Sequence, residues 1–400
     1  MKRLIVFLIL TVFLLTSCST IKLIRLMKAG QTDQKIFYAE VPFEIRGGII
    51  ILKAMVNGEE YDFYLDTGAP TVISKEIADK LGIESTCSIT SSDSKGNKGK
   101  INFGKLGSIT IDNVEFKKQG TAIVDFSENK ELACMDMDGI IGANLMRECY
   151  WQINMQSKTI IITNDKEKLQ ISNKAAIIPF SPTLTGTPKI SMKFESIEVN
   201  NVVFDYGSNG GIMICTDRID KILNHHKDVL RSHGEAGIGL YGSTFDTNYT
   251  VICDSVQLGN LNTNEVTEFA RKGESTVGTE FFKDYNVTID WQGKKIFMER
   301  IADKGSLELK SFGLGTILRE DTLRVVYLYE NSPASAAGIG LETKIIELNG
   351  KDCTNLSEEE YCQMIVDGMF PDEMEEVDIR FLRDGELVKT KLVKRNILVN

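Results

Sequence analysis

The chain has 400 residues, 42% hydrophobic and 26% charged, with 56 acidic against 46 basic side chains and a formal charge of −10. That length exceeds what one hydrophobic core serves and calls for two or three domains, while an ordinary composition with only 7 prolines excludes long disordered tracts. The acidic balance, without any basic block, excludes a nucleic-acid partner and a broad basic membrane-binding face.

Lys2 and Arg3 precede an apolar run from Leu4 to Leu15 that is too short to span a bilayer, so residues 1–17 read as a targeting segment. The run ends in Leu15-Thr16-Ser17-Cys18, which resembles the bacterial lipobox. The resemblance implies cleavage before Cys18, lipidation of Cys18 and attachment to a membrane of the bacterial cell envelope. By the same resemblance, Ser19 rather than Asp after the cysteine implies the outer membrane. The alternative is a plain secretory signal with an incidental cysteine. Seven further cysteines show no metal-ligand spacing, an odd number cannot all pair, and no connectivity is readable.

Residues 36–165 read as short strands separated by turns. Ile36 to Phe43, Gly48 to Val56 and Tyr61 to Leu65 are rich in β-branched and aromatic residues, and Asn57-Gly58 predicts a hairpin turn. A helical stretch, Lys75 to Leu81, is capped by Ser74 and stopped by Gly82. Strands return at Ile101 to Phe103 and Ser108 to Phe116, and Gly139 to Gly142 reads as a turn.

The chain then repeats itself. Gly142-Ala-Asn-Leu-Met-Arg-Glu aligns without gaps on Gly278-Thr-Glu-Phe-Phe-Lys-Asp, 136 positions on, and the same offset carries Ile153 to Ile289 and Lys158 to Lys294. Phe63 to Ala69 aligns on Val202 to Ser208 at an offset of 139. Two anchors in the same order at nearly one spacing mark an internal duplication of about 130 residues, suited to two similar β domains rather than to a solenoid.

Each copy carries Asp-x-Gly directly after an apolar strand. An Asp there can simply stabilise its own turn, but duplication can also bring two Asp loops face to face across a pseudo-twofold axis. Leu65-Asp66-Thr67-Gly68-Ala69 resembles the active-site loop of retropepsin-type aspartic proteases, and Asp138-Gly139-Ile140-Ile141-Gly142 resembles the element that crosses behind it. Phe204-Asp205-Tyr206-Gly207-Ser208 and Thr276-Val277-Gly278 are the weaker second copies, in a tandem arrangement similar to the two-lobed pepsin plan. The resemblance implies catalysis by Asp66 and Asp205 sharing one proton, with Thr67, Gly68, Ala69, Gly207, Ser208, Gly142 and Gly278 supporting the loops. It also implies a hydroxyl contact from Thr67 to the opposite loop. Tyr206 replaces the Thr or Ser that would return that contact. Ser208 offers a hydroxyl to Asp205 where Ala69 offers none to Asp66, so Asp205 is expected to ionise first. Gly-containing segments Ser91 to Phe103 and Gly234 to Tyr249 stand where the family places flaps, or are ordinary mobile hairpins. The three histidines, His225, His226 and His233, fall in or beside a polar, helix-like stretch from Asp217 to Ser232 and are expected to be exposed; no metal and no cofactor are implied.

Beyond Arg300 the pattern changes to a strand at Leu323 to Tyr329, a short helix in Ser332-Pro-Ala-Ser-Ala-Ala-Gly338, a strand ending in Asn349-Gly350, a helix from Ser357 to Val366 with Glu360 at the capping-box position, and strands Val377 to Leu382 and Leu387 to Val393. The order, with Ser-Pro-Ala-x-x-Ala-Gly and Ile-x-x-Leu-Asn-Gly, resembles a PDZ domain. That implies a site for protein C-termini at the backbone of Gly313, Leu314 and Gly315, or else a module that packs on the lobes and binds nothing. The reading is therefore a mainly β protein: aspartic-protease-like β-barrel lobes over 36–165 and 173–300, and an α+β PDZ-like domain over 305–395. The implied function is an envelope-anchored endopeptidase acting on peptide or protein substrates. The alternatives are an inactive peptide-binding protein and a peptidase formed by a homodimer of first lobes.

Overall fold

The computed structural model describes residues 19–194, 197–303, 305 and 307–398; the targeting segment 1–17 and Cys18 lie outside the described residues. The fold is mainly β, in three large sheets. Residues 19–27 form a helix whose Leu26 and Met27 are buried against Phe103 and Ala122 of the first lobe.

In the first lobe the strands run in the order Ser85–Ser92, Lys98–Lys105, Gly120–Val124, Val72–Ser74, Gly139–Gly142, Glu59–Asp66 and Ile49–Val56. The second lobe repeats it with Leu230–Glu235, Phe245–Leu258, Leu261–Ala270, Ile212–Cys215, Thr276–Val277, Ile197–Phe204 and Pro188–Phe194. Gly139–Gly142 is thus a strand rather than the expected turn, parallel to Phe63–Asp66. Local chemistry fits each place. Pro188–Phe194 alternates buried Ile190, Met192 and Phe194 with more exposed partners, as a strand with one buried face must. Phe63, Tyr64 and Leu65 are buried in succession because their strand is central and covered on both faces. Asn57 and Gly58 both take positive φ, +51° and +84°, as the tight hairpin requires.

A six-stranded sheet joins the lobes. Its middle pair, Tyr150–Asn154 and Tyr285–Asp290, is antiparallel, and Gln152 stands opposite Thr288 with a 2.7 Å hydrogen bond between their side chains. These two residues are equivalents under the 136-residue offset, so the pseudo-twofold axis passes between them. Trp151, Ile153, Val287 and Ile289 are fully buried beneath this sheet.

The C-terminal module continues the second lobe's sheet. Tyr327, Leu328 and Tyr329 of the Thr322–Tyr329 strand pair with Gly234, His233 and Ser232. Both helices are present, Pro333–Ala336 and Glu358–Val366, the second with the Ser357–Glu360 capping box. The module also grips the first lobe. Cys134 forms a disulfide with Cys362, and Tyr361 Oη donates to Glu131 Oε1 at 2.9 Å. Cys134 is buried within the module's own core, beside residues such as Leu318 and Tyr361.

Candidate active site

The Glu59–Asp66 strand ends at Asp66, where the chain turns and folds its own amides back. Gly68 N–H and Ala69 N–H both donate to Asp66 Oδ1, at 2.7 and 2.9 Å. Behind the turn, Gly142 lies beside Asp66 in register, Ala143 N–H donates to Ala69 O at 2.9 Å, and Gly142 N–H reaches Thr71 Oγ1 at 3.3 Å. The second lobe builds the same frame with fewer donors. Asp205 N–H donates to Val277 O at 2.9 Å, Gly278 N–H to Gly211 O at 2.9 Å, and Gly207 N–H to Asp205 Oδ1 at 2.8 Å. Ser208 O accepts from the Thr279 amide and hydroxyl, at 2.8 and 3.1 Å.

The two loops meet. The Asp66 and Asp205 carboxyls come close enough for their titrations to be coupled. Each carboxyl also backs onto the opposite glycine. A Cβ at residue 68 would sit 2.7 Å from Asp205 Oδ1, and one at residue 207 would strike the Asp66 carboxyl, so a larger residue at either place forces the pair apart.

Burial pushes Asp66 above the usual carboxylate value of 3.8, opposed by the Ala69 amide, the neighbouring Asp205 side chain and the Gly68 amide. Burial, then the Asp66 charge, pushes Asp205 well above it, and among backbone donors only the Gly207 amide opposes. The pair titrates as a unit, and the backbone hydrogen bonding favours the charge on Asp66, where the sequence pointed to Asp205. Among the described residues the Ser208 hydroxyl does not reach the Asp205 carboxyl, and two amides against one set that preference.

Thr67 is fully buried at the lobe interface. Its hydroxyl donates to Phe204 O at 2.6 Å and accepts from Tyr206 N–H at 2.9 Å. Tyr206 returns no such contact. Its ring turns into the second lobe's core, 4.7 Å from the Phe282 ring and 6.2 Å from that of Phe204, and its hydroxyl has no hydrogen-bond partner among the described residues. The residue thus leaves the space between the carboxyls open. Tyr206→Phe keeps the ring and deletes an unpaired polar group, and is expected to raise stability by about 1–3 kcal/mol in chemical denaturation. An unchanged or lower stability would show that the hydroxyl is satisfied in solution.

The hairpins on either side of the cleft interlock. Lys95, at the tip between Ser85–Ser92 and Lys98–Lys105, donates to Ala236 O, Asn97 Nδ2 donates to Gly242 O at 3.2 Å, and Tyr241 N–H donates to Asp93 Oδ2 at 2.9 Å. Beneath them lies a chamber of about 500 Å³ that reaches from Asp205 and Gly207 to Gly315, Ile317 and Tyr327 of the C-terminal module. Of the C-terminal residues singled out from sequence, Gly313 donates its N–H to Ser311 Oγ at 2.9 Å and Leu314 is buried; Gly315 faces the chamber. The free edge of the same strand is also engaged, since Leu318 N–H donates to Tyr361 Oη at 3.2 Å.

The histidines stand apart from the carboxyl pair, and the expected helix over 217–232 is not what forms. Only Ile219–Leu223 is helical, and Leu230–Glu235 is a strand. His233 is half-buried between Thr247 Oγ1 and Glu330 Oε1, at 3.0 and 2.8 Å, rather than exposed. Among the described residues there is no cluster of His, Cys, Asp and Glu fit to hold a metal ion, and no helix is long and apolar enough to cross a membrane.

Residues 52–145 match the family model described as aspartyl protease. No curated protein matches the chain. The matched stretch holds the Asp66 loop and the strand that crosses behind it, and this region is aspartyl-protease-like.

Proposed function

We propose that the aspartyl-protease-like region works with the second lobe of the same chain as an aspartic endopeptidase, with Asp66 as base and Asp205 as acid. The observation that carries this reading is the facing approach of the two carboxyls, each held by its own loop's amides and set against the opposite loop's glycine. Ionised Asp66 takes a proton from a water held between the pair, that water attacks the peptide carbonyl, and protonated Asp205 donates to the carbonyl oxygen. Asp66 then passes its proton to the amide nitrogen, the C–N bond breaks to release the amine, and Asp205 recovers a proton from the gem-diol hydroxyl as the carboxylic acid product forms. Because Asp205 of the same chain already faces Asp66, a homodimer of first lobes is not required, and Tyr206, turned into the core, does not obstruct the pair.

The wider setting belongs to the same proposal. Cys18 would carry the lipid anchor in the bacterial envelope, and the Cys134–Cys362 disulfide supports an oxidising compartment. The PDZ-like module serves as a wall of the cleft rather than a separate trap for free C-termini. Its Gly313 and Leu318 amides already have partners, and its Gly315 faces the chamber that reaches Asp205.

The test is hydrolysis of a peptide library by the full chain across the pH range, with the Asp66 and Asp205 variants alongside. The rate should rise as Asp66 ionises, above pH 3.8, and fall as Asp205 loses its proton at higher pH. No hydrolysis at any pH, with no binding of a peptide bearing a hydroxyl in place of the scissile carbonyl, would sink the reading.

Stability should follow the same two groups. Both carboxyls have folded pKa values above the unfolded 3.8, so the folded state keeps protons that the unfolded chain loses. The pair's own contribution to stability is therefore full below pH 3.8 and is lost as pH rises from there through the folded values. Asp205→Asn should flatten that decline; an equal slope in the variant would place its origin elsewhere.

A further inference from the structure

Two hydroxyls outside the Asp-x-Gly motifs also cross between the lobes. Tyr64, on the strand that ends at Asp66, donates to Gly207 O, and Thr187, immediately before the Pro188–Phe194 strand, donates to Gly68 O at 3.1 Å. Gly68 and Gly207 are matched positions, each two residues after its Asp. Each donates its N–H to its own carboxylate and backs onto the opposite one. Each glycine is thus pinned at its carbonyl by the other lobe while its amide holds the local Asp. Tyr64 and Thr187 are almost fully buried, 7% and 5% exposed, so these contacts are shielded from water. The Tyr64 phenol lies near both carboxyls, whose charges with burial keep it protonated and able to donate.

We propose that Tyr64 and Thr187 are positioning residues that set the spacing of Asp66 and Asp205, supplying across the lobes the restraint that Tyr206 does not return. The missing contact leaves Thr67 as a one-sided bridge, anchored in the second lobe at Phe204 and Tyr206. The Tyr64 and Thr187 contacts run in opposite directions and restore a two-sided clamp one residue further along each loop. Two carboxyls that share a proton need such a clamp. Once one is charged and buried, any loosening lets the pair separate, and small misplacements at a reacting centre are costly in rate.

The kinetic arm of the test rests on the peptidase reading; the titration arm does not. In the full chain, Tyr64→Phe, Thr187→Val and Thr187→Ser are compared with native by kcat, by KM and by ¹³C titration of the Asp66 and Asp205 carboxyls. Tyr64→Phe and Thr187→Val should each lower kcat about tenfold with KM within about twofold. The two carboxyl midpoints should move closer as coupling weakens. Thr187→Ser, which keeps the hydroxyl, should behave as native. Native kcat and native midpoint spacing in both deletions would overturn the proposal. If the native chain hydrolyses nothing, the peptidase reading fails while the midpoints still decide: narrowed spacing supports the clamp and unchanged spacing rejects it. Should Tyr64→Phe not fold, the valine and serine variants at 187 settle the matter between them.

Discussion

Asp66→Asn is expected to lower kcat for peptide hydrolysis by about four orders of magnitude or more while leaving the fold in place. The amide oxygen can still accept from Gly68 and Ala69, which hold Asp66 Oδ1 at 2.7 and 2.9 Å, so the loop keeps its local bonds. What is lost is the base. An amide cannot take a proton from water at any working pH, and Asp205, holding the shared proton, has no partner to receive one. Replacing the ionised carboxylate by a neutral amide also removes its desolvation cost, so the thermal midpoint should hold or rise. Asp205→Asn should cost as much, because the acid half is then missing. The comparison discriminates: if Asp205→Asn retains native kcat while Asp66→Asn is dead, the second carboxyl comes from another molecule.

Thr67→Val should destabilise the protein by about 2–6 kcal/mol. Valine matches threonine in shape, so packing is nearly unchanged. The hydroxyl, however, serves two buried backbone groups at once, Phe204 O at 2.6 Å and Tyr206 N–H at 2.9 Å. Without it both are left unpaired where water has no access, each at about 1–3 kcal/mol. Chemical denaturation reads the loss, and Thr67→Ser, which restores the hydroxyl, should recover most of it. A valine variant within about 0.5 kcal/mol of native would mean that water reaches the interface and replaces the hydroxyl.

Much of the site is legible in the residues themselves, for a physical reason. A duplicated lobe preserves the order of its anchors, so the offsets of 136 and 139 bring Asp205 into the position of Asp66 before any coordinate is known. The proton order is not legible in the same way. A Ser208 hydroxyl can be read from sequence, but the number of backbone amides aimed at each carboxyl depends on the course of the turn. Tyr64 stands in a stretch that reads only as a strand, Thr187 carries no motif, and their partners lie 143 and 119 residues away. The stretch from Asp217 to Ser232 reads as a helix because it is polar and lacks breakers. Its final part is instead drawn into a strand by pairing with Phe245–Leu258 on one edge and Thr322–Tyr329 on the other, where tertiary context outweighs local preference. The helix over 19–27 falls just beyond the targeting segment, where sequence alone gave no reason to expect a docked element.

The Cys134–Cys362 bond spans 228 residues and encloses the whole second lobe. A single backbone cut anywhere in that span, including the interlocked hairpin tip over 236–244, leaves the molecule in one covalent piece. Such a nicked chain keeps its two Asp loops on one connected body. It should run as a single species without reductant and as two fragments with it, so self-cleavage inside the ring would pass unseen wherever only the size of the unreduced chain is read.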